Sequence, residues 1–156
     1  MARTRSLILF SVALILGAIS VGCRTPCHEE QFGREFDAKK VAQLGHDAFK
    51  IAWPTTRYAG QDLRFGVRRP TALDREVIYR LDRIRWQAPW VAREVERNPS
   101  NPRCASKFAY DILAYEARML RARYRPESFT PSTDAKIESL LGLIDQLSVF
   151  YELKTP

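Results

Sequence analysis

Chemistry in this chain would have to start from few residues. Its three thiols are Cys23, Cys27 and Cys104, and its two histidines are His28 and His46. An arrangement of nucleophile, base and orienting group therefore needs one of those two imidazoles. Cys27-His28-Glu29-Glu30 brings metal-ligating types together, but neighbours in sequence rarely converge on one ion, so no metal and no other cofactor is expected. His46 falls off the apolar face of its helical segment, where a solvated imidazole is expected. Glu94 and Glu96 point different ways on a helix, which makes them a poor acid–base pair. The seven glycines are scattered, so no phosphate-cradling loop exists. A nucleophile elbow, a helical His-Glu-x-x-His and a Cys-x-x-Cys are missing too. No catalytic residue can be named, and the expected class is a non-catalytic scaffold or binding module. The competing classes are a small envelope enzyme with an unrecognised site and a binder of anionic envelope lipid or polysaccharide.

One constellation stands above background. On a helical wheel, Tyr79, Arg83, Trp86, Trp90, Arg93 and Arg97 share a narrow sector. Aromatic rings interleaved with guanidiniums stack on flat ligands, sit at bilayer interfaces and anchor protein partners. A protein partner is the first expectation for this face, and anionic envelope material the second. A polynucleotide is not expected. The rival reading packs Trp86 and Trp90 into the core, because large aromatics at helical spacing usually lie there.

The elements that position this sector read as helical throughout. A first helix is expected from about Arg34 to Trp53, with Val41, Leu44, Ala48 and Ile51 on its apolar face and Pro54 as its stop. From Pro54 to Pro70 the rhythm breaks. The alternation of Leu63, Phe65 and Val67 suggests a long ordered loop packed on the helices. Thr71 is the expected N-cap of a second helix. Val77, Leu81, Ile84, Ala88, Val91 and Val95 follow as a heptad-like seam, and Pro89 within it predicts a kink.

Asn101-Pro102 opens a third helix, with Phe108, Ile112, Tyr115 and Met119 as its expected seam, widened by Ala105, Ala109, Leu113 and Leu120, and an end near Tyr124. Ser132 or Thr133 opens a fourth, which buries Ile137, Leu140, Leu141, Ile144, Leu147 and Tyr151. Arg103, Lys107, Arg118, Arg121 and Arg125 fall on one side of the third helix. Asp134, Glu138, Asp145 and Glu152 gather on the fourth, so the two stripes are expected to face each other. The fold class predicted is all-α, an antiparallel four-helix bundle with a kinked second helix. It forms one domain over residues 34–156.

The amino terminus carries a different message. Arg3 and Arg5 precede an apolar run from Leu7 to Ile19, and small residues lead to Cys23. These are the parts of an export signal, and the run is shorter than the ~20 residues of a membrane span. Residues 1–23 resemble bacterial lipoprotein signal peptides, with Gly22 and Cys23 matching the lipobox and Ser20 standing where leucine is usual. The resemblance implies removal of residues 1–22 and acylation of Cys23, which ties the protein to a membrane at the cell envelope. It also makes 23–33 a lipidated tether. Arg24, in place of an aspartate after the cysteine, favours the outer membrane facing the periplasm if the source is Gram-negative. Export leaves Cys27 and Cys104 as an even pair in an oxidising compartment, and a disulfide between them is expected.

Composition agrees with a folded domain. Apolar residues at 46% and charged residues at 28% disfavour both wholesale disorder and a multi-spanning membrane protein. The net charge of +7 permits contact with acidic lipid or polysaccharide without requiring it.

Overall fold

A computed structural model of the chain describes residues 27–66 and 69–153, so the expected leader and Cys23 lie outside the described residues. Among the described residues a short 3-10 turn, Glu29–Gln31, precedes four α-helices: α1 (Ala38–Phe65), α2 (Ala72–Arg97), α3 (Pro102–Arg123) and α4 (Pro131–Ser148). They pack as a bundle in which α2 lies between α1 and α3, and α4 rests mainly on α1. No strand is present among the described residues beyond one isolated bridge, Phe32 to Leu153.

The expected stop at Pro54 and the loop from Pro54 to Pro70 are not what forms. α1 starts at Ala38, where Asp37 accepts the Lys40 amide at 2.9 Å, and continues through Pro54 to Phe65. A proline removes one helical hydrogen bond and crowds the carbonyl four residues earlier. Here that carbonyl belongs to Lys50, an exposed residue. Just beyond the proline, the Thr55 and Thr56 hydroxyls donate to the carbonyls of Ile51 and Ala52 at 2.6 and 2.8 Å. The buried stripe then runs on through Ala52, Thr55 and Ala59. Those side chains are small or hydroxylated and do not register as an apolar face, yet they let α1 lie close to its neighbours.

The approach is closest at Gly45. A Cβ there would stand 3.0 Å from the Ala88 carbonyl oxygen and 3.1 Å from the Ala92 Cβ. Backbone cannot step aside for a side chain, so Gly45→Leu is expected to destabilise the fold by about 3 kcal/mol, the upper end for overpacking. A urea titration measures this, and an unchanged midpoint would mean that the α1–α2 contact is loose.

α2 follows its sequence closely. Thr71 and Asp74 form a reciprocal capping box, and the seam Val77, Leu81, Ile84, Ala88, Val91 and Val95 is buried along its length. Pro89 lies inside this single helix. The fourth helix begins one residue before the expected Ser132, and its predicted face is buried. Tyr151 is buried too, in the turn that follows the helix.

α3 is rotated from expectation. Phe108 and Tyr115, predicted in its seam, are 55% and 48% exposed, while Arg103, Ser106 and Glu116 are buried beside Ala109, Tyr110, Leu113, Ala117 and Leu120. Ala109, Leu113 and Leu120 are buried as the widened seam predicts, and three buried polar residues, each with partners, shift the centre of the face away from Phe108 and Tyr115. The Ser106 hydroxyl lies 2.6 Å from the Tyr151 hydroxyl, and Glu116 takes two arginines. The expected pairing of charge stripes is realised at Arg121–Asp145, 2.5 Å. Lys107 instead pairs along its own helix with Asp111, and Arg103 turns inward.

The described part of the segment before α1 packs down on the bundle. Cys27 and Cys104 form a disulfide, with Cα atoms 5.5 Å apart. Next to it Arg103, 2% exposed, lies over the rings of Phe32 and Phe36 at 4.5 and 5.0 Å. Its guanidinium pairs with Glu29 at 3.0 Å and donates to the Arg34 carbonyl. Phe32 is itself buried. A buried cation between two rings, paired and hydrogen-bonded, keeps the segment in place.

Buried phenols give the fold an alkaline limit. Tyr110 stacks on Tyr151 at 4.0 Å between centroids. Burial, helped by nearby carboxylates, pushes the Tyr110 phenol up to about 12. Burial raises Tyr124 and Tyr151 as well. Phenols in the unfolded chain ionise near pH ~10. The stability these groups contribute is therefore complete below pH ~10 and is lost as pH climbs through the folded values. Helix loss and phenolate absorbance of the buried set are expected to rise together above pH ~10, later in Tyr110→Phe. Ionisation of those phenols at pH ~10 with the helices intact would contradict this.

Candidate partner-binding face

With the α2 seam turned inward, helical geometry sends the opposite side of α2 to the surface. Tyr79 is 51% exposed, Trp86 58%, and Arg93 and Arg97 are exposed beside them. The core placement considered for Trp86 is thus overturned. Arg83 and Trp90 leave the outward line and lean toward α3, both half-buried. Trp90 packs on the core, its indole N–H donating to Glu94 at 3.0 Å, and meets the Phe108 ring edge-on at 5.8 Å. The six predicted residues therefore form two adjoining rows.

The neighbouring helices supply what sequence reasoning missed. From α3, Phe108 and Tyr115 come to the surface alongside Trp90 and Arg80. The Arg80 guanidinium lies 5.0 Å from the Tyr79 ring and 6.0 Å from the Tyr115 ring. Arg80 is held there by Glu116 at 2.8 Å and Glu76 at 2.6 Å. Arg83 reaches the other Glu116 oxygen at 3.4 Å. From α1, Trp53, 52% exposed, approaches the same helix. The Arg85 guanidinium lies 4.6 Å from the Trp53 ring and 4.9 Å from the Trp86 ring, and bonds Asp82 at 2.7 Å.

Carboxylates thus fix the arginines, and the arginines fix the rings. A side chain already held in place loses little entropy on binding, and exposed Trp, Tyr and Arg are the residues that anchor protein partners. A rotated α3 was the missing signal. Buried Ser106 and Glu116, read as part of its inward face, place Phe108 and Tyr115 outside.

Elsewhere the chemical groups are sparse. Cys27 and Cys104 are joined, and no group of three metal-ligating residues occurs among the described residues. His46 does meet a carboxylate, Glu96, at 2.8 Å across α1 and α2. The pair lines an open cleft of about 410 Å³ together with Lys39 and Gln43, with no hydroxyl or thiol side chain on its wall. No described helix is long and apolar enough to cross a membrane. No protein-family model, no curated protein and no solved structure matches this chain.

Proposed function

We propose that this protein is a lipid-anchored, extracytoplasmic module of the bacterial cell envelope that captures a protein partner on the α2–α3 face. The role is one of binding, without catalysis. The observation that carries it is the half or greater exposure of Tyr79, Trp86 and Phe108, with Tyr115 close behind, beside arginines already held by carboxylates. Such rings in water are costly unless something covers them. The Cys27–Cys104 bridge supports export, since structural disulfides persist in oxidising compartments. Acylated Cys23 would be the membrane tie, at the outer membrane facing the periplasm in a Gram-negative source. In this reading the four helices run alternately up and down and α2 bends at Pro89. The pairs His46–Glu96, Arg80–Glu116 and Ser106–Tyr151, each joining the early part of one helix to the late part of its neighbour or the turn that follows it, favour the alternation.

Two readouts test the proposal in cells making the full chain. Labelled palmitate is expected in the protein and lost in Cys23→Ala, and affinity capture from the envelope is expected to bring one discrete protein. An unlabelled wild-type protein would remove the anchor, and capture of nothing would remove the partner.

The His46–Glu96 pair favours a second reading, a hydrolase in which a carboxylate-oriented imidazole activates water. Turnover of an ester or amide panel that disappears in His46→Ala would support it over the first.

A further inference from the structure

We infer that the end of the bundle remote from the disulfide, where α1 passes to α2, is a docking tip for an anionic phospholipid surface. Two apolar side chains project there. Phe65, the last residue of α1, is 75% exposed, and Leu73, in the first turn of α2, is 46% exposed. Isolated exposed leucines need no explanation, but here arginines surround both. The Arg64 guanidinium lies 5.4 Å from the Phe65 ring. Leu73 shares an open cleft of about 350 Å³ with Arg123 and Arg125. Arg69 and Arg75 flank the same turn.

Of the acids at this end, three are turned to internal work, while the exposed Glu127 carboxylate stands on the cleft wall and offsets one of the arginines. Asp62 accepts from the Thr130 amide and hydroxyl at 3.0 Å. Asp74 accepts from the Thr71 amide and hydroxyl at 2.7 and 2.8 Å. Asp134 accepts the Glu127 amide at 2.9 Å. Arg64, Arg69, Arg75, Arg123 and Arg125 have no ion pair among the described residues, which leaves a cationic rim around two apolar points.

That combination fits an anionic bilayer better than a folded protein. Phe and Leu enter the headgroup boundary while the guanidiniums stay with the phosphates. A soluble polyanion would use the arginines and leave Phe65 in water. The tip is also well separated from the disulfide. α1 has 28 residues and spans about 42 Å, with the Cys27–Cys104 bridge at the other end. The tip is therefore placed to meet a second surface. This surface is separate from the α2–α3 face and independent of the partner proposal. It rests on the proposed acylation of Cys23: protein that fails to insert in the first vesicles removes that anchor, whereas inserted protein that captures nothing removes the tip.

The test uses the full chain inserted by its amino terminus into phosphatidylcholine vesicles. Capture of a second, fluorescent vesicle population is then measured by sedimentation. Vesicles containing phosphatidylglycerol are expected to be captured and vesicles of phosphatidylcholine alone not, with capture falling as salt rises. Arg64→Gln/Arg69→Gln and, separately, Phe65→Ser are each expected to lower capture on the order of tenfold. Both leave melting unchanged, because all three side chains are exposed. Absence of capture, or equal capture by wild type and both variants, would overturn the inference. So would binding of an acidic polysaccharide that is indifferent to Phe65→Ser and comes without vesicle capture.

Discussion

Replacing Cys104 with serine is expected to cost the folded protein about 4 kcal/mol, on the order of 10–20 °C in melting temperature. The bridge joins residues 77 apart in sequence. Such a link removes much of the freedom of the unfolded chain, and that restriction grows with loop length. Its native-state surroundings survive the substitution, since Arg103 still pairs with Glu29 and Phe32 stays packed. The variant should therefore fold, with lower stability. Reducing agent added to the wild type is expected to bring its melting point down to that of Cys104→Ser and to leave the variant unmoved. A wild type indifferent to reductant would show that the thiols are not joined, and would withdraw one support from export.

Glu116→Ala is expected to cost a similar amount, about 3–5 kcal/mol. Glu116 has only 5% of its side chain exposed and holds Arg80, itself 14% exposed, as well as Arg83. The hydrogen bond that Arg80 donates to Glu116 is the main reason its guanidinium holds its proton above the ordinary range, with Glu76 adding to it. Removing the carboxylate strands a largely buried cation whose remaining acid is Glu76, and breaking one partner of such a pair is far worse than never having built it. The double change Arg80→Met/Glu116→Leu is accordingly expected to recover most of the loss. A denaturant titration of the three variants measures the coupling. A recovery near zero would mean that shape, and not charge, is what matters at this junction. Glu116→Ala also frees Tyr79 and Tyr115 from Arg80, so partner capture should weaken even at temperatures where the variant is folded.

The α2 helix was readable because its seam uses large aliphatic residues at strict spacing and its cap uses Thr71 and Asp74. Cys27 and Cys104 were readable from their number once export is assumed. Sequence pattern stops α1 at Pro54 because the continuing face is made of Ala52, Thr55 and Ala59. These side chains contribute by being small, and an apolar count does not register them. Apolar spacing places Ala109, Leu113 and Leu120 of α3 correctly and Phe108 and Tyr115 wrongly, for the opposite reason. The inward face of α3 includes Arg103, Ser106 and Glu116, whose partners Glu29, Tyr151 and Arg80 are distant in sequence. The aromatic sector of α2 was visible on a helical wheel, while its exposure was not, because a wheel cannot tell which neighbours cover which side. The contributions of Trp53, Phe108 and Tyr115 depend on packing and had no local signal.

The central claim, that the α2–α3 face is a surface made for a partner, is tested most directly at Trp86. A photo-crosslinking amino acid is placed at that position in the full chain, and the products from intact envelopes are resolved by mass. One discrete crosslinked protein is the predicted result, lost when Tyr79 and Tyr115 are both changed to alanine while the melting temperature stays put. A diffuse smear or no product, from a protein shown to be folded and at its normal level, would contradict the account.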